Sequence, residues 1–325
     1  MTEFWKELPE ISAKLDAVRA RMKDVVGSGR FPLAEPVQEL IDANGKMLRP
    51  AFLIMAGRFG KRPKDLTDLA AAVELLHVAT LIHDDVIDAS DTRRGIPTVH
   101  SRYGAKDAVL AGDWLFSRCF RLASESSSPE NARLLAALIG ALCSEEIHQD
   151  LERYSWPRSE RNYLRKIAGK TAALFSLSLR AGAVEAKASP STVAALTRAG
   201  YAAGMAFQVM DDVLDYESSE GAMRKPVASD VREGLCTLPL ILAMRAVPGR
   251  FEPLLAAVGR GLARPDDAAI GAIVDAVRES GAISSSRDLA SAYTGRAMRE
   301  LSRLPPGTPR DELRGTVERL LSRDY

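Results

Sequence analysis

Apolar residues recur along this chain at spacings of three and four with no sustained alternation of period two, so the pattern predicts helices almost throughout and no strand-rich region. An amphipathic helix is expected over Ile11 to Val26, with Leu15, Val18 and Met22 on one side, and another over Pro36 to Asp42. Longer helices are predicted over Leu66 to Asp88, Asn131 to Leu151, Ser159 to Ala186, Ser191 to Tyr216 and Thr237 to Ala246, with weaker ones after Pro265, Ser284 and Pro309. Two runs are apolar nearly all the way round: only Glu74, His77 and Thr80 interrupt Leu69 to Ile82, and only Gln208 interrupts Tyr201 to Met210. Helices of that kind are buried on every side. The expectation is one all-α domain over residues 1–325, its central helices wrapped by the others. Tyr216 to Gly234 reads as a loop and Leu304 to Pro309 as a turn, and neither has the composition of a domain linker.

Composition adds what kind of partner to expect. With 46% hydrophobic and 27% charged residues in 325, the chain has the make-up of a globular protein with a sizeable core. Its 44 basic and 43 acidic residues leave a net charge of +1, so no broad field is available to hold nucleic acid or a membrane surface. Charge-based chemistry must therefore be local. Cys119, Cys143 and Cys236 form no CxxC pair, which suits a reducing cytoplasm, and the acidic opening MTEFWKELPE is unlike a secretory signal. The apolar stretch Cys236 to Met244 falls well short of the roughly 20 residues that span a bilayer. The protein is thus expected not to be integral to a membrane, although a greasy product can partition into one.

Both apolar runs end in the same signature, Asp84-Asp85-Val86-Ile87-Asp88 and Asp211-Asp212-Val213-Leu214-Asp215. The first and last Asp of each, one helical turn apart, project from one face. Negative charge at a helix C-terminus opposes the macrodipole, so helix physics does not ask for this pattern twice. Paired carboxylates of this sort suit a hard cation such as Mg²⁺, which takes one or two protein carboxylates and completes its shell with water and phosphate oxygens. Basic residues sit near the clusters in order: Lys46 and Arg49 in GKMLRP, Arg93 and Arg94 in DTRRG, Lys170 in GKTAALF, and Lys225 after the second cluster. They supply two sets of cations, one for a phosphate that binds metal and one for a phosphate that does not. GKT here lacks the upstream glycine of a P-loop, so that reading fails.

Taken in order, GKMLRP, His77, DDVIDASDTRRG, KTA, FQVMDDVLD, KPVASD and TLP resemble the motifs of the trans-isoprenyl diphosphate synthase (polyprenyl synthetase) family, and the match covers nearly the whole chain. The resemblance implies a Mg²⁺-dependent, head-to-tail condensation of isopentenyl diphosphate with an allylic diphosphate, by a homodimer whose helices surround a deep central cavity. By similarity, Asp84 and Asp88 bind metal with Asp85 in support, and Asp211 with Asp212 and Asp215 holds a further ion on the opposite wall. Arg93, Lys170, Thr171, Gln208 and Lys225 are then expected on the allylic diphosphate, and Lys46, Arg49, His77 and Arg94 on isopentenyl diphosphate. Asp84, Asp85, Asp88, Lys170 and Asp211 are the expected catalytic residues. Departures from the family pattern are Met47 for an arginine, Arg224 and Ala228 for glycines, and Leu235 for a lysine whose loss removes one cation from the allylic site.

Product length in this family follows the depth of an apolar tunnel below the first aspartate cluster. Ala79 and Thr80, five and four positions before Asp84, leave that tunnel open where an aromatic would plug it, and suggest hexaprenyl to decaprenyl products. Candidates for the floor are Leu135, Leu138, Ile139 and Leu142. Alternatives remain at this point: a short-chain synthase, or the catalytic subunit of a hetero-oligomeric heptaprenyl synthase. From another class comes a di-iron carboxylate bundle built on the two ExxH pairs Glu74/His77 and Glu145/His148.

Overall fold

The computed structural model describes residues 3–28, 31–43, 45–62, 64–156, 159–217, 228–259 and 266–321. After a short 3₁₀ turn at Glu3–Trp5 come α1 (Pro9–Gly27), α2 (Ala34–Asp42), α3 (Leu48–Gly57) and α4 (Thr67–Ile87). A hairpin of β1 (Thr92–Arg93) and β2 (Ile96–Pro97) leads to α5 (Val99–Tyr103), α6 (Ala105–Ser126) and α7 (Pro129–Leu151). Next are α8 (Glu160–Ile167), a π turn (Ala168–Ala172), α9 (Ala173–Glu185) and α10 (Pro190–Glu217). The chain continues through α11 (Ser229–Arg232), α12 (Leu238–Ala246), α13 (Pro248–Ala256), α14 (Asp267–Glu279), α15 (Ala282–Leu301) and α16 (Thr308–Leu321). The fold is all-α, as the periodicity predicts, and among the described residues no helix is long and apolar enough to cross a membrane.

Two compact units can be distinguished: one of Met1–Ala137, Phe175–Thr197 and Arg303–Leu313, the other of Leu138–Leu174, Arg198–Ser302 and Arg314–Tyr325. In the first, α4 is the central helix, packed against α1, α3 and α6. Its residues from Leu69 to Leu76 are all buried, as an all-round apolar helix requires. Two glycines set the spacing of its neighbours. A Cβ on Gly112 of α6 would collide with the His83 ring of α4, and one on Gly182 of α9 would collide with the Leu53 carbonyl of α3. In the second unit α12, apolar along most of its length, packs against α8, α13, α14 and α15. Tyr216 is fully buried there, and its carbonyl accepts a 2.8 Å hydrogen bond from Arg278 Nε.

Several elements were not predicted, each for a physical reason. α3 is apolar at nearly every position and carries Pro50, which reads as a breaker but is tolerated in a first helical turn. On α6 the buried face mixes small residues (Ala108, Ala111, Gly112, Ala123) with Leu115, Cys119 and Leu122, while Val109, Leu110 and Phe120 are exposed, so apolar residues on both sides obscure the stripe. α13 holds an internal proline, Pro253. The single helix expected over Ser159 to Ala186 is broken by the π turn at Ala168–Ala172, where Gly169 packs so closely that an added Cβ would lie 2.8 Å from Glu145 Cγ. The predicted Tyr216–Gly234 loop contains α11, and its residues 218–227 lie outside the described ones.

Candidate functional site

In the first unit, α4 delivers Asp84 and Asp85 in its last turn and Asp88 at its C-cap. Asp84 and Asp88 are half-buried; Asp85 is buried and accepts a 2.7 Å hydrogen bond from Arg93 Nε. Arg93 reaches Asp85 because the chain reverses in a two-residue hairpin, with Thr92 opposite Pro97 and Arg93 opposite Ile96. The loop residues Arg94 (φ 53°) and Gly95 (φ 82°) both take positive φ, the type I′ geometry that matches strand twist. Glycine accepts this readily, whereas an arginine there carries strain of about 1–3 kcal/mol, the kind found at functional sites. The turn separates two adjacent arginines: Arg93 goes to the aspartates, and Arg94 Nη1 donates to the Ala43 carbonyl at 3.3 Å beside Gly45.

Arg94 thereby joins the second expected set. Lys46 is held from the N-terminus, where Trp5 Nε1 donates to its carbonyl at 2.6 Å and the Phe4 ring centroid lies 5.1 Å from Nζ. Arg49 stacks over Phe175 at 5.3 Å. Buried Glu74 balances the charge of Arg49 and Arg94. His77 is pushed well below its usual pKa by burial, with Arg49, Arg94 and Arg93 adding to the effect, so it is a neutral imidazole at pH 7. Lys46, Arg49, His77 and Arg94 all belong to one unit, and Arg49, His77 and Arg94 form one cationic neighbourhood around Glu74. Met47, at φ 48°, precedes α3, and Arg19 Nη2 lies 3.4 Å from its sulfur. The position that lacks the family's arginine thus has an arginine from α1 against it.

In the second unit, α10 ends in the other cluster. Asp211 is exposed, and Asp212 and Asp215 are buried. A chain of hydrogen bonds runs from Thr171 Oγ1 to Gln208 Oε1 (2.7 Å) and from Gln208 Nε2 to Asp212 Oδ1 (2.8 Å), while Tyr163 OH donates to Asp212 Oδ2 (2.7 Å). Burial raises the Asp212 pKa to about 6 against the opposing pull of those bonds. Asp215 accepts from Ser229 N and Oγ and from Asp230 N, which anchors α11. Ahead of α11, Ala228 takes φ 56° where the family has glycine, so this turn carries backbone strain that glycine would avoid. Lys170 and Thr171 lie in the π turn, a distortion often associated with functional sites, and Lys170 Nζ pairs with Glu146 at 2.7 Å. Lys225 and Arg224 lie outside the described residues.

Both clusters offer only oxygen ligands, on consecutive turns at a helix end, and that donor set fits a hard divalent cation. The di-iron alternative meets a different environment: Glu74 and His77 stand among Arg49, Arg93 and Arg94, opposite in sign to what a cation site needs, and His148 is exposed. Of the tunnel candidates, Ala79 and Leu135 are buried, Thr80, Leu138, Ile139 and Leu142 are half-buried, and Thr80 Oγ1 donates to the His77 carbonyl at 2.8 Å. Sequence reasoning missed the supporting residues Phe4, Trp5, Arg19 and Tyr163, which stand in no motif, and it assigned no role to Asp230, the last residue of KPVASD.

A polyprenyl synthetase family model matches residues 31–273. The heptaprenyl diphosphate synthase component 2 of Geobacillus stearothermophilus is 36% identical over 316 residues, 97% of each chain. A geranylgeranyl pyrophosphate synthase structure from Lactobacillus brevis superposes with a TM-score of 0.92 at 33% identity, covering 99% of both chains. A polyprenyl synthase from Caulobacter crescentus, complexed with calcium and isoprenyl diphosphate, gives 0.92 at 32% identity over 100% of this chain and 99% of that one. With two aspartate clusters at helix ends, a neutral histidine among arginines and matches over the whole length, this chain belongs to the polyprenyl synthetase family and is a prenyltransferase of it.

Proposed function

We propose that the enzyme condenses isopentenyl diphosphate with an allylic diphosphate in the presence of Mg²⁺, and that its products exceed C20, in the hexaprenyl to decaprenyl range. The observation that carries the reaction is the separation of two cationic sets by the Arg93-Arg94 turn, one beside a cluster of three aspartates and one in which cations outnumber the single buried Glu74. Asp84 and Asp88, with Asp85 oriented by Arg93, would hold metal at one end of the substrate diphosphate, and Asp211 with Asp212 and Asp215 would hold a further ion. A divalent cation there supplies charge neutralisation for departing diphosphate. Arg93, Lys170, Thr171, Gln208 and Lys225 bind the allylic diphosphate. Lys46, Arg49 and Arg94 grip isopentenyl diphosphate, and neutral His77 adds a hydrogen-bond donor without further charge repulsion. The allylic C–O bond ionises, the double bond of isopentenyl diphosphate attacks the resulting carbocation, and the released diphosphate takes the proton. No protein nucleophile is required.

In this reading residues 1–325 act as one catalytic domain, and the exposed Val109, Leu110 and Phe120 on α6 offer an apolar face to a second copy in a homodimer. Three cysteines unpaired with one another suit the cytoplasm. Related proteins named for heptaprenyl and for geranylgeranyl products are similar to this chain at comparable identity, so product length rests here on Ala79, a small buried residue at the position where an aromatic is expected to plug the tunnel. The decisive experiment incubates the purified chain alone with Mg²⁺, isopentenyl diphosphate and farnesyl diphosphate and resolves products by chromatography. Elongation beyond C20 is expected; no product from the chain alone would reveal need of a partner subunit. Ala79→Phe is expected to shorten the product by several isoprene units. An unchanged product from a variant with wild-type melting temperature would place the length determinant elsewhere.

A further inference from the structure

A small, partly open pocket in the second unit is lined by Gln149, Glu152, Tyr163, Lys166, Leu235 and Cys236, among others. Leu235 is the position where the family's lysine is missing, and Lys166 stands on the same pocket wall. Tyr163 and Lys166 are three residues apart on α8 and so share a face. That face is directed at the second aspartate cluster, since Tyr163 OH bonds Asp212 and the Lys166 charge acts on both Asp212 and Asp230. Leu235 is tied to the same segment, its N–H donating to the backbone carbonyl of Asp230 at 2.7 Å. Gly234, at φ 75°, holds this approach in place; an added Cβ would lie 2.7 Å from the Tyr154 ring. Two chain positions therefore reach one pocket, and the cation comes from α8 rather than from the segment before α12. Lys170, one turn further on, is paired with Glu146, whereas Lys166 is half-buried and lines the pocket. Glu152 also borders the pocket but is solvent-exposed, where its charge is screened.

We propose that Lys166 is a substrate-positioning residue whose ammonium, entering from α8, supplies the charge absent at Leu235 and binds the diphosphate of the allylic substrate. The assignment rests on the prenyl-transfer reading above. Lys166→Gln is expected to raise KM for farnesyl diphosphate about tenfold, to leave KM for isopentenyl diphosphate unchanged, and to weaken calorimetric binding of farnesyl diphosphate by the same factor. Lys166→Arg should stay near wild type. Leu235→Lys, placed in the Lys166→Gln background, should restore affinity, which a purely structural role for Lys166 would not predict. Unchanged affinity for farnesyl diphosphate in Lys166→Gln at wild-type melting temperature, or failure of Leu235→Lys to restore it, overturns the proposal. Lys166-dependent binding of farnesyl diphosphate without elongation by the wild type would overturn the elongation reading alone, while elongation with unchanged KM in Lys166→Gln overturns the Lys166 assignment alone.

Discussion

Replacing Asp84 by alanine should lower turnover of isopentenyl and farnesyl diphosphates by roughly 10³-fold or more, since loss of a group that stabilises departing charge typically costs at least two to three orders of magnitude. Asp84 is the sharper test than its neighbour for a structural reason. Asp85 is buried and hydrogen-bonded to Arg93, so its removal also releases an arginine from the site. Asp84 is half-buried in the last turn of α4, and alanine is the best helix former, so the fold should tolerate the change. Steady-state rates over a Mg²⁺ titration, together with a thermal melt, check this. Raised Mg²⁺ should not restore the wild-type rate. A well-folded Asp84→Ala enzyme that elongates at that rate would remove the first cluster from the mechanism.

Glu185→Gln should cost about 3 kcal/mol of stability at pH 7. Glu185 is buried at the end of α9 and accepts three hydrogen bonds, from Lys64 Nζ (2.5 Å), Ser128 N (2.7 Å) and Asn131 Nδ2 (2.8 Å). These tie α9 to the start of α7 and to the segment before α4, all within one unit. Burial alone would raise the Glu185 pKa, but the bonds outweigh it and lower the value from 4.5 to about 2. A carboxylate whose pKa is lower in the folded than in the unfolded chain contributes stability that is complete above the unfolded value and lost as pH falls towards the folded one. The contribution should therefore be whole above pH 4.5 and fade between pH 4.5 and about 2, and at 1.36 kcal/mol per unit it amounts to about 3 kcal/mol. Urea titrations at pH 7, 5, 4 and 3 should show the wild type and Glu185→Gln converging as the pH falls. Parallel curves of equal spacing throughout would mean that Glu185 is not charged in the folded protein.

Much of the chemistry could be read before any fold was known. Paired aspartates at the ends of two apolar helices, basic residues in fixed order and a histidine on the buried helix are all short-range patterns, because helical periodicity puts residues three and four apart on one face wherever the helix lies. Helices escaped detection where this logic fails. α6 buries Leu115, Cys119 and Leu122 among alanines and a glycine, while Val109, Leu110 and Phe120 are exposed, so apolar residues on both faces blur its periodicity.

Local spacing thus established the helical class, the two carboxylate clusters and the identity of the candidate phosphate-binding residues. Tertiary structure decided how those residues are shared out. Arg93 and Arg94 are neighbours in sequence, yet the positive-φ turn at Arg94 and Gly95 sends one to Asp85 and the other towards Ala43 and Gly45. The three aspartates of the second cluster are equivalent in pattern, but Asp215 is bound by the turn into α11, Asp212 by Tyr163 and Gln208, and Asp211 faces solvent. Leu235 looked like a lost cation until the fold brought Lys166 to the same pocket. Some of these contacts are local, such as Gln208 with Asp212 one helical turn away, but Tyr163 with Asp212 and Arg94 with Ala43 join residues about fifty positions apart, and side-chain direction there depends on backbone turns and packing partners that no local period encodes.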